Sequence, residues 1–349
     1  MSKAKLRIFS YPLSFKKPAR TSRNVFENRT VYFLVFEENQ SIHIGEAAPL
    51  EKLSIDAVPG FANELKVRAR EWFENRSALE MDLAEWPSIR FALESIEMSL
   101  KSSWETQRPI QINGLVWMNS IPEMYEEAMA KIQAGFRCMK FKVGALDFDE
   151  ECRLIERIRK SADAFKLEIR LDANGAFEVD DALEKLNELS RFDIHSLEQP
   201  IAPKQWGAME EVCSKSSIPI ALDEELIYAS RERLHRQCIQ QIKPQYIILK
   251  PTLIGGFSSA NLWIQEAKKI GVPWWATSAL ESNVGLTAIT HWVGETNNPL
   301  PQGLGTGSLY TNNIRSPFKI EGEQVHLNSE LGFDMDAIIS NGACIFELE

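Results

Sequence analysis

The chain has 349 residues, 44% hydrophobic and 25% charged, the composition of an ordinary globular protein and enough chain for a barrel of about 250 residues plus a smaller domain. A formal net charge of −10 argues against nucleic acid or an anionic membrane surface as a partner, but not against a small anionic ligand in a locally basic cleft. Cys138, Cys152, Cys213, Cys238 and Cys344 are odd in number and form no CxxC pair, which predicts reduced thiols in a cytoplasmic protein. No apolar run reaches membrane-spanning length, and the interrupted start MSKAKLRIFSYPL does not read as a signal peptide.

In chain order, residues 6–13 and 31–37 read as strands, and 41–46 continues as a hairpin partner across the polar turn Glu38-Asn39-Gln40. Between the first two strands lies a basic stretch from Lys16 to Asn24, a loop near 14–24 of the kind that can act as a lid, although a solvated basic loop is the simpler reading. Helical patterns follow over 56–73 and 86–102, the second placing Ile89, Leu93, Ile96 and Leu100 on one face. Strands then helices without alternation describe an α+β domain over 1–105.

From Pro109 the pattern alternates. Strand-like runs fall at 111–118, 138–143, 167–174, 194–199, 218–224, 246–250, 272–277 and 304–308, with helical segments such as 123–134, 148–162, 179–189 and 258–270 between them. Eight strands with helices between them, and no eighth full helix after the last, predict an α/β fold, a parallel barrel over 106–317. Short strands at 318–327 and 332–336 suggest a C-terminal segment, 318–349, returning to complete the first domain.

Six charged residues sit on the apolar runs of this barrel. They are Lys140 and Lys142 in MKFKV, Asp172 in EIRLDAN, Glu198 in IHSLEQP, Asp223 in IPIALDEE and Lys250 in YIILKP. From Asp172 onward they are 26, 25 and 27 residues apart, close to the span of one βα repeat, so each falls at the C-terminal end of a successive strand. One such carboxylate is usually a helix cap or a solvated loop residue. Three converging at a barrel mouth repel, and a dication relieves the repulsion. Oxygen ligands alone suit Mg²⁺, with Mn²⁺ as a substitute, and the absence of histidine from the set disfavours Zn²⁺. His195 lies beside the strand of Glu198 but on the opposite parity and reads as structural.

Lys140 and Lys142 share one strand face, opposite Met139, Phe141 and Val143, and so point into the barrel. Burial near other cations is expected to lower a lysine toward the range of a general base. Lys250 ends the sixth strand across the barrel, a second proton-transfer or charge-stabilising group rather than a solvated strand end. Arg170, Asn174, Ser278 and the GLGTGS run, with Gly303, Gly305 and Thr306, occupy equivalent strand ends; with Lys140 they are candidate substrate contacts. The glycine-rich run offers backbone N–H groups to an anion, or it is simply a tight turn. Together these parts suit removal of a proton α to a carboxylate.

The ordered set Lys140-Phe141-Lys142, Asp172-Ala173-Asn174, Glu198-Gln199-Pro200, Asp223-Glu224 and the KPxxxGG run from Lys250 resembles the muconate-lactonizing-enzyme subgroup of the enolase superfamily along the whole chain. The resemblance implies an enolase-like fold, a modified TIM barrel of (β/α)7β form with an N-terminal α+β capping domain. It also implies Lys142 and Lys250 as the acid/base pair and Asp172, Glu198 and Asp223 as Mg²⁺ ligands. INGLVWM at 112–118, RLDANG at 170–175, SALES at 278–282 and GLGTGSLY at 303–310 are most similar to a branch acting in menaquinone biosynthesis. That branch implies a hydro-lyase that dehydrates a succinyl-hydroxy-cyclohexadiene carboxylate, with Lys142 removing the proton and assisting loss of hydroxide, and Lys250 facing the other side of the ring. N-succinylamino acid racemases and dipeptide epimerases share the six residues. Epimerases, however, typically carry a DxD at the eighth strand, where this chain reads GLGTGS; the DxD at Asp334-Met335-Asp336 comes after the barrel ends. A non-catalytic barrel serving as a binding scaffold is the alternative of a different class, and no residue of the set is missing to favour it.

Overall fold

The computed structural model describes residues 4–20 and 25–349. Lys5–Arg20 and Val25–Glu38 form a long antiparallel hairpin, flanked by Ser41–Ala47 on one side and Ala343–Leu348 on the other. Strand alternation gives this sheet two apolar faces. Leu6, Ile8, Leu34 and Phe36 pack on the helices Phe61–Asn75 and Pro87–Lys101. Phe9, Tyr11, Leu13, Phe33 and Val35 face the other way, onto Leu280, Val284 and Tyr310.

The basic stretch read as a loop is largely strand: Ala19 and Arg20 pair with Phe26 and Val25 after an irregularity beyond Ser14. Residues 21–24 of the expected lid lie outside the described residues. The first helix begins at Phe61 rather than 56, because Gly60 stands before it at φ 88°. The stretch before it instead brings Asp56 to the N-terminus of the second helix, where Oδ2 accepts from Ser88 N at 2.8 Å and Ser88 Oγ at 2.6 Å.

Seven strands, Gly114–Val116, Cys138–Lys142, Glu168–Asp172, Ser196–Glu198, Ile220–Leu222, Tyr246–Leu249 and Trp274–Ala276, pair in parallel and in sequence order. The expected eighth strand at 304–308 is a turn. Closure occurs just before it, through the single parallel bridges Thr277–Gly303 and Ile112–Gln302. The reason is local: a Cβ at Gly303 would collide with the Thr277 side chain, so only glycine lets the two backbones approach. The Gln302 carboxamide then accepts from Ala276 N at 2.7 Å in place of a longer ladder.

The hairpin Phe318–Glu321 and Gln324–Leu327 pairs with Ile110–Gln111 rather than with the first sheet, which only Ala343–Leu348 joins. The stretch 332–336 is not a strand; Asp334 instead caps the helix Met335–Asn341, accepting from Ala337 N at 3.0 Å. Two buried carboxylates bind the domains together at helix N-termini. Glu46 accepts from Ser282 N, Ser282 Oγ and Gly285 N at the start of Asn283–Thr296. Glu94 accepts from Phe257 N and Ser258 N at the start of Gly256–Lys269. No described helix is long and apolar enough to cross a membrane.

Candidate active site

Strand parity decides which side chains enter the barrel. Met139, Phe141 and Val143 pack outward in the main apolar cluster, which leaves Lys140 and Lys142 pointing inward and buried. Asp172 pairs in register with Lys142 on one side and Glu198 on the other, so the three charges lie in one layer. Asp223 and Lys250 follow the next two strand ends. All six are at most 7% exposed.

The lysines knit the carboxylates together. Lys140 Nζ lies 2.7 Å from Asp172 Oδ2 and pairs also with Glu198 Oε2. Lys142 Nζ donates to Asp172 Oδ2 at 2.6 Å and to Asn174 Oδ1 at 2.8 Å. Lys250 pairs with Asp223 and lies 3.7 Å from Glu198 Oε1. The side-chain Oε1 of neighbouring Gln199 accepts from Asp223 N at 3.2 Å and Glu225 N at 3.3 Å, holding the fifth strand end in place.

Electrostatics in this layer differ from the expectation of a lowered lysine. Burial pushes Lys140 and Lys250 down, but the carboxylates around them push harder, and both are held above the ordinary lysine value. Counting neighbouring cations alone misjudged the field: Asp172, Glu198, Asp223 and Glu224 all act on Lys250. Asp172 is driven well below the usual carboxylate range because the pull of Lys140, Lys142 and Lys250 overcomes burial. Glu198 is pushed up by burial and by Asp172 and Asp223. Asp223 is pushed up, chiefly by burial.

Among the described residues no three carboxylate, imidazole or thiol groups close on one point as a finished metal cage, since ammonium groups stand between the acids. The donor set nevertheless fits an oxygen-seeking dication. Its three carboxylates are buried side by side, and Glu198 Oε1 has no hydrogen-bond partner.

Above this layer lies a pocket lined by Lys140, Lys142, Asn174, Lys250, Ser278, Gly303, Gly305 and Thr306, so six of the seven substrate contacts anticipated from sequence join Lys142 and Lys250 there. Ser278 and Thr306 hydroxyls bond to each other at 2.6 Å. Gly303 contributes no free amide, because its N–H donates to Ala276 O at 2.7 Å in the barrel closure. Arg170 is the clear misplacement. It shares parity with Asp172 but lies one layer deeper, donating to Glu168 Oε1 at 2.7 Å and Pro301 O at 2.8 Å, with its guanidinium 4.1 Å above the Trp275 ring. His195 packs on Tyr246 and Trp275 in the same deep layer, the structural role expected of it.

Sequence reasoning passed over several lining residues. Glu224 binds Asn174 Nδ2 at 3.0 Å while its Oε2 stays unpaired and buried; the Asp223-Glu224 doublet carried that signal. Asn113 Oδ1 and Thr277 Oγ1 are likewise unpaired in the pocket wall. Leu50, Lys52 and Leu53 of the first domain form the roof, which no barrel periodicity could reveal.

The family model for enolase C-terminal domain-like proteins matches residues 123–337. An o-succinylbenzoate synthase of Desulfotalea psychrophila is 39% identical over 89% of this chain and 95% of that protein. The chain belongs to the enolase superfamily. The crystal structure titled MenC from Desulfotalea psychrophila superposes with a TM-score of 0.79 at 35% identity, covering 93% of this chain and all of that one (100%). A dipeptide epimerase of Cytophaga hutchinsonii, solved with Mg and D-Ala-L-Val, gives a TM-score of 0.82 at 19% identity, covering 98% of this chain and 99% of that one, a likeness of fold alone. The enolase-like fold, a parallel α/β barrel beneath an N-terminal sheet domain, is thereby established. Enolase-superfamily enzymes generally use Mg²⁺.

Proposed function

We propose that the chain is an o-succinylbenzoate synthase, a hydro-lyase of menaquinone biosynthesis. In this reading it removes water from a succinyl-hydroxy-cyclohexadiene carboxylate and leaves an aromatic ring. The observation that carries the reading is that Lys142 and Lys250, from the second and sixth barrel strand ends, line one pocket, each paired with one of three buried carboxylates. Similarity to the Desulfotalea psychrophila synthase over 89% of the chain supports the choice of substrate.

In this mechanism Lys142, as the neutral amine, takes the proton from the carbon α to the substrate carboxylate. The electron pair of that C–H bond becomes a dienolate. The C–O bond at the β-carbon then breaks, and the hydroxide leaves as water with the proton carried by Lys142, so one H and one OH depart in total. Asn174 Oδ1 and Asp172 Oδ2 orient the Lys142 amine, and Lys250 stays an ammonium over the opposite ring face, where charge and cation–π attraction favour the dienolate. Asp172, Glu198 and Asp223 would hold Mg²⁺, which when bound neutralises their charge and polarises the substrate carboxylate. Lys140, paired to two of these acids, keeps them apart and oriented.

Two lysines across one pocket also suit racemisation at a single carbon, so an N-succinylamino acid is the second substrate class. A dipeptide fits less well. The turn after Gly303 carries no acid for an ammonium group, and Asp334 is occupied as a helix cap outside the pocket lining. In this reading the cap is the N-terminal part of the chain up to 105 and the barrel spans 106–317; the pairing of 343–348 with the first sheet supports its place in the cap, while the hairpin 318–327 pairs with 110–111 on the barrel side. Four buried unpaired thiols, Cys138, Cys152, Cys213 and Cys238, support a cytoplasmic location. The test is to incubate the protein and Mg²⁺ with the hydroxy-acid and follow aromatisation by ultraviolet absorbance, against N-succinylamino acids and dipeptides. A higher kcat/KM for a dipeptide overturns the assignment.

A further inference from the structure

The turn after the seventh barrel strand lines the pocket through Thr277, Ser278, Ala279 and Leu280. Leu280 sits at φ 64°, a left-handed conformation that a side chain with a Cβ resists. A residue of the cap holds it there. Arg29, on Val25–Glu38, is 8% exposed; its Nη1 donates to Ala279 O at 2.8 Å and Leu280 O at 2.6 Å. Its Nη2 donates to Ala48 O at 2.7 Å and Pro49 O at 3.4 Å, immediately before the roof residues Leu50, Lys52 and Leu53. The Tyr310 hydroxyl donates to the same Leu280 carbonyl at 2.6 Å. Glu46 and Glu281, both buried, lie close enough to offset the guanidinium charge.

One planar fork therefore spans two pocket-forming turns from distant parts of the chain. The geometry differs from that of Glu46 and Glu94, which join cap and barrel at helix N-termini; Arg29 grips the carbonyls of the pocket wall itself. Only arginine presents enough diverging donors to serve four carbonyls at once. We propose that Arg29 is a positioning residue that locks the turn at 278–280 and the roof at 48–53 in mutual register, so that a substrate arm extending from the lysines toward the cap meets a preformed wall. The guanidinium itself touches no reacting atom. Its loss releases the wall while leaving Lys142, Lys250 and the carboxylate layer in place.

The test compares wild type, Arg29→Met and Arg29→Lys by hydrogen exchange and by steady-state kinetics, the second arm resting on the dehydration proposed above. Amides within 48–53 and 278–282 should exchange roughly tenfold faster in Arg29→Met, while those of Cys138–Lys142 and Glu168–Asp172 keep their wild-type rates. KM for the hydroxy-acid should rise roughly tenfold with kcat changed less than about threefold, and Arg29→Lys should not restore it. Faster exchange across both domains, or an unchanged KM in a folded variant, overturns the proposal. Should Arg29→Met fail to fold, Arg29→Lys gives the same pattern, and Tyr310→Phe, which removes one bond to the Leu280 carbonyl, gives it at smaller amplitude; no local change in either also overturns it. A wild type that does not turn over the hydroxy-acid refutes the dehydration and leaves the exchange pattern to decide the lock. An active wild type with unaltered exchange in the variants refutes the lock alone.

Discussion

Replacing Lys140 by Met isolates the electrostatics of the carboxylate layer. The side chain stays unbranched and only one atom shorter, and loses the charge that stands between Asp172 and Glu198, with all three residues at most 4% exposed. Removing one partner of a buried ion pair destabilises by about 3–5 kcal/mol, because the remaining charge is left uncompensated. Here the strain has an outlet: Glu198 is already held above its ordinary value and can take a proton, which places the expected loss near the lower end, about 3 kcal/mol. At about 2.1 cal/mol/K of unfolding entropy per residue, a chain of 349 residues shifts by about 1.4 °C per kcal/mol, so Lys140→Met should melt roughly 4 °C below wild type in EDTA. A dication bound at a hundred times its Kd adds about 2.7 kcal/mol, so Mg²⁺ should return much of that loss. Thermal unfolding followed by circular dichroism, with and without Mg²⁺, reads both numbers. A variant that melts with wild type in EDTA would show that Lys140 does not hold the acids together, and the reading of the layer would fall.

Lys142→Ala should remove both turnover and exchange of the substrate α-proton with deuterium, by roughly 10²–10⁴-fold or more; exchange at the wild-type rate would require another base. Lys250→Ala should lose turnover as severely while keeping its fold by circular dichroism. Asp56 gives a pH signature: burial lifts its carboxyl from 3.8 to about 6, so the folded state binds the proton more tightly than the unfolded chain. That contribution is complete below the unfolded value and lost as pH rises through about 6, about 3 kcal/mol in all. Asp56→Asn should therefore gain about that much relative to wild type between pH 4 and 7 in urea titrations, and a constant difference would refute it. Arg170→Met should lower the melting temperature through lost contacts to Glu168 and Pro301 yet leave KM unchanged; a raised KM would return Arg170 to the substrate.

The legible part of the site was the part that broke a local rule. A lysine or carboxylate at the end of an apolar strand is conspicuous, and period-two alternation turns five residues such as Cys138–Lys142 into an inside and an outside. Parity, however, carries no depth. Arg170 and Asp172 alternate identically along Glu168–Asp172, and only the three-dimensional layering separates a barrel-floor plug from a pocket acid. The eighth strand was misread because a glycine run looks alike whether it extends a ladder or closes one at a single residue. Lys16–Arg20 was read as loop because its charges and Pro18 hide a strand that simply continues its hairpin. Leu50, Lys52 and Arg29 were beyond reach, since their place depends on how one domain meets another.

The helix Asn283–Thr296 is buried without interruption from Val284 to Val293. An apolar helix enclosed on every side has no solvent face to keep it soluble once a neighbour is taken away. It packs on the hairpin of Phe318–Glu321 and Gln324–Leu327, which pairs with Ile110–Gln111, and on Ser41–Ala47 and Pro87–Lys101, so cap and barrel share it as common interior. The two domains therefore have no independent melting points: the molecule loses cap and barrel in one cooperative transition, and a barrel expressed without the cap would present this helix as an aggregation surface.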